Sequence, residues 1–359
     1  MKVCSVSNYF SPYKIKLFNE IGKSVELTAV ILPGDDGNRN KEWTLPEDVS
    51  FKTYVIDKNY SKLIKKLAKE NDILIDSMYS TKYGMLAVSA FKRENKLVLM
   101  DADGGIPRDR GFIVNKAMSF FMNRHNYMIS TGYSTDLYYK FYGVRDDKLR
   151  HYRFSSLSKE DMENHKEMAK HKKEYRKLLG IDEDRFIIIN VGRPIKVKGF
   201  DILLESYMKT GLSDKIDLYI VGGQPQEDIL KIVEDNKLNN VHFIGLLSTD
   251  ELNKYYAASD MMVFTSRGDV WGLVVNEAMS FGLPVVASDM NGAGIHFNSI
   301  DESVIICPLE NRDAYARAIV KLYEDKEFYN LQSKKALDVI EGYTIENGAR
   351  DIINILNRL

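Results

Sequence analysis

Cysteine is nearly absent: among 359 residues only Cys4 and Cys307 occur, in separate halves of the chain. That excludes a disulfide scaffold and points to a reducing, cytoplasmic compartment. Apolar runs are short, and none approaches the roughly 18–20 residues that span a bilayer. The opening MKVCSVSNYFSPYKIKLF has no apolar stretch ending in a small-residue cleavage site, so it reads as a buried strand and not a secretion signal. With only 8 prolines and no low-complexity segment, neither disorder nor a collagen-like chain is expected. The six histidines show no HExxH spacing, and His165 and His171 fall in a charged stretch, so solvated or structural roles are expected for nearly all. P-loop, GxSxG and CxxC patterns are missing too.

What is present is the composition of an ordinary globular protein, long enough for two domains of roughly 150–200 residues each. Charge is uneven. Residues 1–150 carry 24 basic and 18 acidic side chains, and the remainder offsets that excess to a net −1. A basic N-terminal half suits an anionic membrane surface or acidic acceptor as well as it suits plain solvation. No basic-aromatic stripe argues for nucleic acid.

Short β-branched runs alternate with amphipathic stretches. Strands are predicted at Lys2–Val6, Leu27–Leu32, Phe51–Ile56, Asp72–Asp76 and Leu97–Asp101, with helices such as Ser61–Glu70 and Gly84–Glu94 between them. Residues 156–185 are charged throughout and read as a linker with a solvated helix. Alternation then restarts, with strands at Phe186–Val191, Ile216–Val221, Val241–Ile244, Met261–Phe264 and Pro284–Ala287. Such alternation requires crossovers, so each half should be a mainly parallel sheet covered on both faces. Ligands in such folds gather at the carboxyl ends of strands.

Two motifs follow predicted strands. In NVGRPIKVKGFDILLESY (190–207) the strand ends at Val191, Gly192 permits a tight turn, and Arg193 and Lys198 follow on a loop. Paired cations at a sheet edge suit a diphosphate leaving group, or are simply solvated. In TSRGDVWGLVVNEAMSFGLPVVASDMNGAG (265–294) a helix starts near Gly272, where unpaired N–H groups and the helix dipole favour an anion. Asp269 precedes that helix and Glu277 lies on its second turn, so both can border one pocket for a polyhydroxylated ligand. Leu273, Val274, Val275, Ala278 and Met279 flank Glu277, which makes a partnerless glutamate there costly to bury.

The second motif resembles the acidic-x7-acidic signature of glycosyltransferase family 4, and the Gly-Arg…Lys-Gly element matches the same family upstream. LYIVGGQ (218–224), VHFIG (241–245) and LSTDELNKYYAASDMMVFTS (247–266) continue the family's pattern in order. The N-terminal pieces SPYKIKLFNEIGK, DADGG and YSTDLYYKFYGVRDDKLRHYRFSSL are similar to those of bacterial transferases that build surface polysaccharides.

That resemblance implies an α/β GT-B fold, two Rossmann-like domains facing across a cleft. The expected divisions are an acceptor domain at 1–160, a nucleotide-sugar domain at 161–342, and a helix at 343–359 packing back on the first domain. It implies a retaining hexosyltransferase with a UDP- or GDP-linked sugar donor and a sugar or lipid-linked acceptor. No cofactor and no metal would be required. Arg193 and Lys198 would hold the donor diphosphate with amides of Gly272, Leu273 and Val274. Asp269 would meet the donor sugar, Glu277 the ribose, and Ile244 in the segment 243–246 would border the base. Glutamate is usual where Asp269 stands. A histidine is usual where KLVLMDADGGIP places Asp101 and Asp103; either could orient the acceptor, and Asp103, followed by Gly104-Gly105, is preferred as the catalytic one. Phe10, next to Tyr9, and Asp101 stand on the acceptor side.

Competing expectations are a nucleotide-sugar epimerase or sugar phosphorylase on the same fold, or a non-catalytic partner subunit. A nicotinamide enzyme is disfavoured, because no GxGxxG follows the first strand of either half. Residues 108–125 interleave basic and bulky apolar side chains, as in helices lying peripherally on the inner face of a membrane.

Overall fold

The computed structural model describes residues 1–8, 11–32 and 49–359, which form two compact units. Unit 1 comprises Met1–Ser158 and Tyr343–Leu359, and unit 2 is Lys159–Gly342.

Unit 1 opens with β1 (Lys2–Ser7), α1 (Pro12–Gly22), β2 (Glu26–Ile31) and β3 (Lys52–Val55). It continues with α2 (Tyr60–Glu70), β4 (Ile73–Asp76), α3 (Lys82–Arg93) and β5 (Leu97–Asp101). Then come α4 (Phe112–Asn123), β6 (Tyr127–Ser130), α5 (Tyr133–Phe141) and β7 (Leu149–His151). Among the described residues these strands form one parallel sheet, ordered β3-β2-β1-β4-β5-β6-β7. Strand order reverses between β1 and β4. Val6, Val30, Leu74 and Val98 from the sheet pack with Ile64 and Phe91 from helices into a core, each contributing about 1.5–3 kcal/mol by burial.

Unit 2 begins with α6 (Lys159–Lys170), α7 (Lys172–Leu179), β8 (Phe186–Val191) and α8 (Phe200–Lys209). Next are β9 (Ile216–Val221), α9 (Glu227–Asp235), β10 (Val241–Ile244) and α10 (Thr249–Ala258). They are followed by β11 (Met261–Phe264), α11 (Leu273–Ser280), β12 (Val285–Ser288) and α12 (Gly292–Ser299). Last come β13 (Ile305–Cys307), α13 (Arg312–Glu324) and α14 (Lys326–Ile340). The sheet is parallel, ordered β10-β9-β8-β11-β12-β13, and here the reversal falls between β8 and β11. Central strands such as β9 (IDLYIV) are buried along their whole length, as expected where helices cover both faces.

Two elements differ in character from the sequence expectation or extend it. The stretch 156–185 is not a solvated linker: α6 and α7 dock on unit 2 with Met162, His165 and Arg176 buried. The His165 ring stacks on Phe281 at 4.2 Å and its Nδ1 lies 2.7 Å from Ser280 Oγ. Burial pushes the pKa of this imidazole down to about 4, so it is neutral at physiological pH. Arg176 donates to the carbonyls of Ala258, Glu183 and Arg185 and to Asp260. On α7, Tyr175 and Leu179, four residues apart, pack against Ile187 and Tyr219, a short apolar stripe set among charged residues. The chain then returns to unit 1 as α15 (Ile345–Asn357), which packs on α1 through a face that buries Ile345, Ile352, Ile355 and Leu356. Asp351 receives a two-pronged ion pair from Arg153, both contacts at 2.7 Å.

Candidate functional site

In unit 2 the loops after β8 and β11 flank the strand-order reversal, where open parallel sheets bind ligands. These loops are stitched together. Thr265 Oγ1 donates to the Gly199 carbonyl at 2.8 Å, Ser266 Oγ to Val197 at 3.1 Å, and the Arg267 amide to Val197 at 2.7 Å. Gly199 sits at φ +68°, and a Cβ there would lie 2.1 Å from the Thr265 carbonyl oxygen, so only glycine lets the two loops meet. Arg267, a cation beside the motif, is engaged with Asp201 through contacts of 2.7 and 2.6 Å. It braces the loop.

Lys198 and Asp269 are brought into direct contact, Nζ to Oδ2 at 2.6 Å, with both side chains about one-fifth exposed. The ammonium also lies 5.1 Å from the centre of the Phe264 ring. Helix α11 starts next to this pair. Gly272 precedes it at φ +98°, and a Cβ at that position would come 2.4 Å from Asn291 Nδ2. Asn291 fixes the helix entrance by donating to the Trp271 carbonyl at 2.7 Å while its other side-chain atom accepts from the Gly294 amide. Trp271 is buried and donates to Asn276 at 3.0 Å, a packing role. The first-turn amides, those of Leu273 and Val274 among them, have no partner within the helix by geometry alone.

Glu277 is half-buried on the second turn of α11, and its Oε2 accepts from the Tyr256 hydroxyl at 3.1 Å. Burial first, and then this carboxylate, hold the Tyr256 phenol well above the ordinary tyrosine range, so it remains a donor. Ile244 ends β10 on the same carboxyl edge. Arg193 lies exposed in the loop after β8, where its carbonyl accepts from the Ile195 amide at 2.8 Å. Thus Lys198, Asp269, Gly272 and Glu277 share one strand-end region, with Arg193 and Ile244 on neighbouring strand ends.

In unit 1, Asp101 ends β5 and Asp103 follows it in a left-handed backbone conformation, φ +52°. Sequence reasoning missed their partner. Lys14, on α1, is buried and places its Nζ 2.9 Å from Asp103 Oδ2 and 3.9 Å from Asp101 Oδ2. Ser77, just past β4, donates to Asp101 at 3.3 Å. Burial chiefly, reinforced by the neighbouring Asp103, raises the Asp101 carboxyl to about 7 against the pull of Lys14. Burial alone would lower the Lys14 ammonium, but Asp103 and Asp101 outweigh it and keep the group charged. One signal was available: Lys14 falls on the same helical stripe as Leu17, Phe18 and Ile21. The expected acceptor-side position Phe10, with Tyr9, lies outside the described residues.

Residues 171–338 match the model of the family Glycosyl transferases group 1. The chain is 28% identical over 186 residues to an uncharacterized glycosyltransferase of Methanocaldococcus jannaschii, covering 50% of this chain and 47% of that protein. It is 26% identical over 177 residues to the N-acetyl-alpha-D-glucosaminyl L-malate synthase of Bacillus anthracis, covering 49% and 45%. These matches span less than half the length of those relatives. Across the whole of both chains, the fold superposes on Anabaena HepE in complex with UDP-glucose with a TM-score of 0.75 at 16% identity or below, here 15%. The fold is therefore GT-B in type: two Rossmann-like units, each with its own parallel sheet.

Proposed function

We propose that this chain is a retaining glycosyltransferase that moves a hexose-type sugar from a UDP-linked donor to a sugar or lipid-linked acceptor in polysaccharide synthesis. The carrying observation is the Lys198–Asp269 pair beside the Gly272 entrance to α11, at the strand-order reversal of unit 2. Lys198, Arg193 and the amides of Leu273 and Val274 hold the diphosphate, Asp269 the sugar hydroxyls, and Glu277 the ribose. HepE, solved with UDP-glucose, supports uridine as the base. The acceptor hydroxyl attacks the anomeric carbon as its bond to the diphosphate breaks, and a departing phosphate oxygen takes the hydroxyl proton on the same face. Asp103 orients the acceptor. The protein's part is positioning and stabilising the charge on the leaving group, with no metal or cofactor required.

Ligand binding to the native state alone stabilises it by about 2.7 kcal/mol at 100 times Kd. A UDP-sugar should accordingly raise the melting temperature by roughly 5–10 °C, given about 2–4 °C per kcal/mol for domains of this size. Absence of any shift across a panel of UDP- and GDP-sugars would leave the proposal without its donor.

A lipid-linked acceptor is supported by α4. Its Phe112, Ile113 and Phe120 are 77%, 82% and 61% exposed, beside Lys116, which lies over the Phe112 ring, and Arg124, which lies over Phe120. Apolar side chains flanked by cations match an anionic bilayer surface. The protein should float with phosphatidylglycerol-containing vesicles but not with phosphatidylcholine ones. Replacing Phe112 and Ile113 with serine should weaken flotation at least tenfold, since each buried side chain contributes about 1.5–3 kcal/mol. Equal flotation of wild type and variant would remove α4 as the contact.

A further inference from the structure

We propose that Lys14 is a positioning residue for transfer: its ammonium, buried between Asp101 and Asp103, fixes the Asp103 carboxylate where the acceptor meets it. The inference rests on the reading of Asp103 as the acceptor-orienting group and adds the residue through which that group is held.

Three observations carry it. The Lys14 side chain is only 5% exposed, that of Asp101 11% and that of Asp103 29%, so Asp103 is the member of the cluster open to a ligand. The backbone around it is forced. Asp103 is left-handed, its amide donates to Asp101 Oδ1 at 3.3 Å, and a Cβ on Gly105 would lie 2.5 Å from the Tyr138 ring. A non-glycine residue held in that region costs on the order of 1–3 kcal/mol, so something must hold it, and the contact of 2.9 Å from Lys14 does. Finally, the Tyr152 hydroxyl is buried without a hydrogen-bond partner among the described residues, and its charge environment is dominated by Asp101 and Asp103. An unsatisfied donor in the interior is costly.

One ammonium serves two carboxylates, so the cluster carries a surplus negative charge or a proton. Asp101, raised to about 7, is where that proton resides. The charged and titratable groups facing it are Lys14 and Tyr13 on α1, Asp103 on its own loop, Tyr139 on α5, and Tyr152 beyond β7. Ser77 faces it from the end of β4.

The test compares Lys14→Met, Lys14→Arg, Asp103→Asn and the double variant Lys14→Met/Asp101→Asn in full-length protein, assaying kcat, donor KM and the pH profile. Lys14→Met should lower kcat about a hundredfold, the order expected from misplacing a group by 1 Å, with little change in donor KM. Its limb near neutral pH should move upward in pH, because Lys14 favours the ionised form of Asp101. Lys14→Arg should recover part of the rate. The double variant removes one charge of each sign, so the cluster keeps the net charge it has with both carboxylates ionised; it should melt above Lys14→Met yet still transfer slowly, which a purely structural lysine would not produce. Wild-type kcat in the double variant or in Lys14→Met, with Asp103→Asn impaired, overturns the proposal alone. Wild-type kcat in Asp103→Asn as well overturns the reading of Asp103 and the proposal with it.

Discussion

Lys198→Ala is expected to lower transfer by roughly 10²–10³-fold, the loss seen when one preorganised donor to a developing anion is removed. The geometry makes this the most sensitive single position. The ammonium is held by Asp269 at 2.6 Å and faces the Phe264 ring, so it is aimed before the donor arrives. A diphosphate gains negative charge as the sugar leaves, and a cation already oriented there needs no reorganisation in the transition state. Stability should change little. Pairs of this partly exposed kind contribute about 0–1 kcal/mol, and the loop keeps its backbone contacts through Thr265, Ser266 and Arg267. A melting temperature within a few degrees of wild type, together with lost transfer, is the expected pattern. Transfer at the wild-type rate would displace Lys198 from the donor site.

Glu277→Ala should be nearly as severe, with a different signature. Two charge-assisted hydrogen bonds to ribose hydroxyls are together worth about 3–6 kcal/mol, so donor affinity should fall at least a hundredfold. Removing the carboxylate also strands the buried Tyr256 hydroxyl, at a cost of about 1–3 kcal/mol. Glu277→Gln separates the two effects. Its amide oxygen can still accept from Tyr256, so stability should recover while donor affinity remains weakened by loss of the charge. Isothermal titration with UDP and thermal melts of both variants read this directly. Glutamine binding UDP as tightly as glutamate would assign Glu277 a structural role only.

The fold of unit 2 was legible because its inner strands are buried on both faces. Phe186–Val191, Ile216–Val221, Val241–Ile244 and Met261–Phe264 stand out as apolar runs bounded by turn residues, and their limits agree with β8 to β11. Strands β6, β7 and β13 escaped notice. The glycines and cations on the carboxyl edge of unit 2 stood out because they cluster after strands, a local signal. Lys14 was not, because its partners Asp101 and Asp103 lie nearly ninety residues away, and only the sheet brings them together. The stretch 156–185 was misread for a related reason. A docking face whose few apolar residues are mixed with a buried ring and a guanidinium looks like solvated sequence until its acceptors, Ala258 O and Asp260 among them, are in place.

Helix α15 belongs to unit 1 but is encoded after the whole of unit 2. Domains emerging from the ribosome generally fold in the order they are made. Here that order is inverted in part: unit 2 can close on itself while α1 still lacks the helix that covers it. Nascent unit 1 therefore waits with an apolar flank uncovered, the kind of surface that chaperones grip, until α15 arrives to seal it.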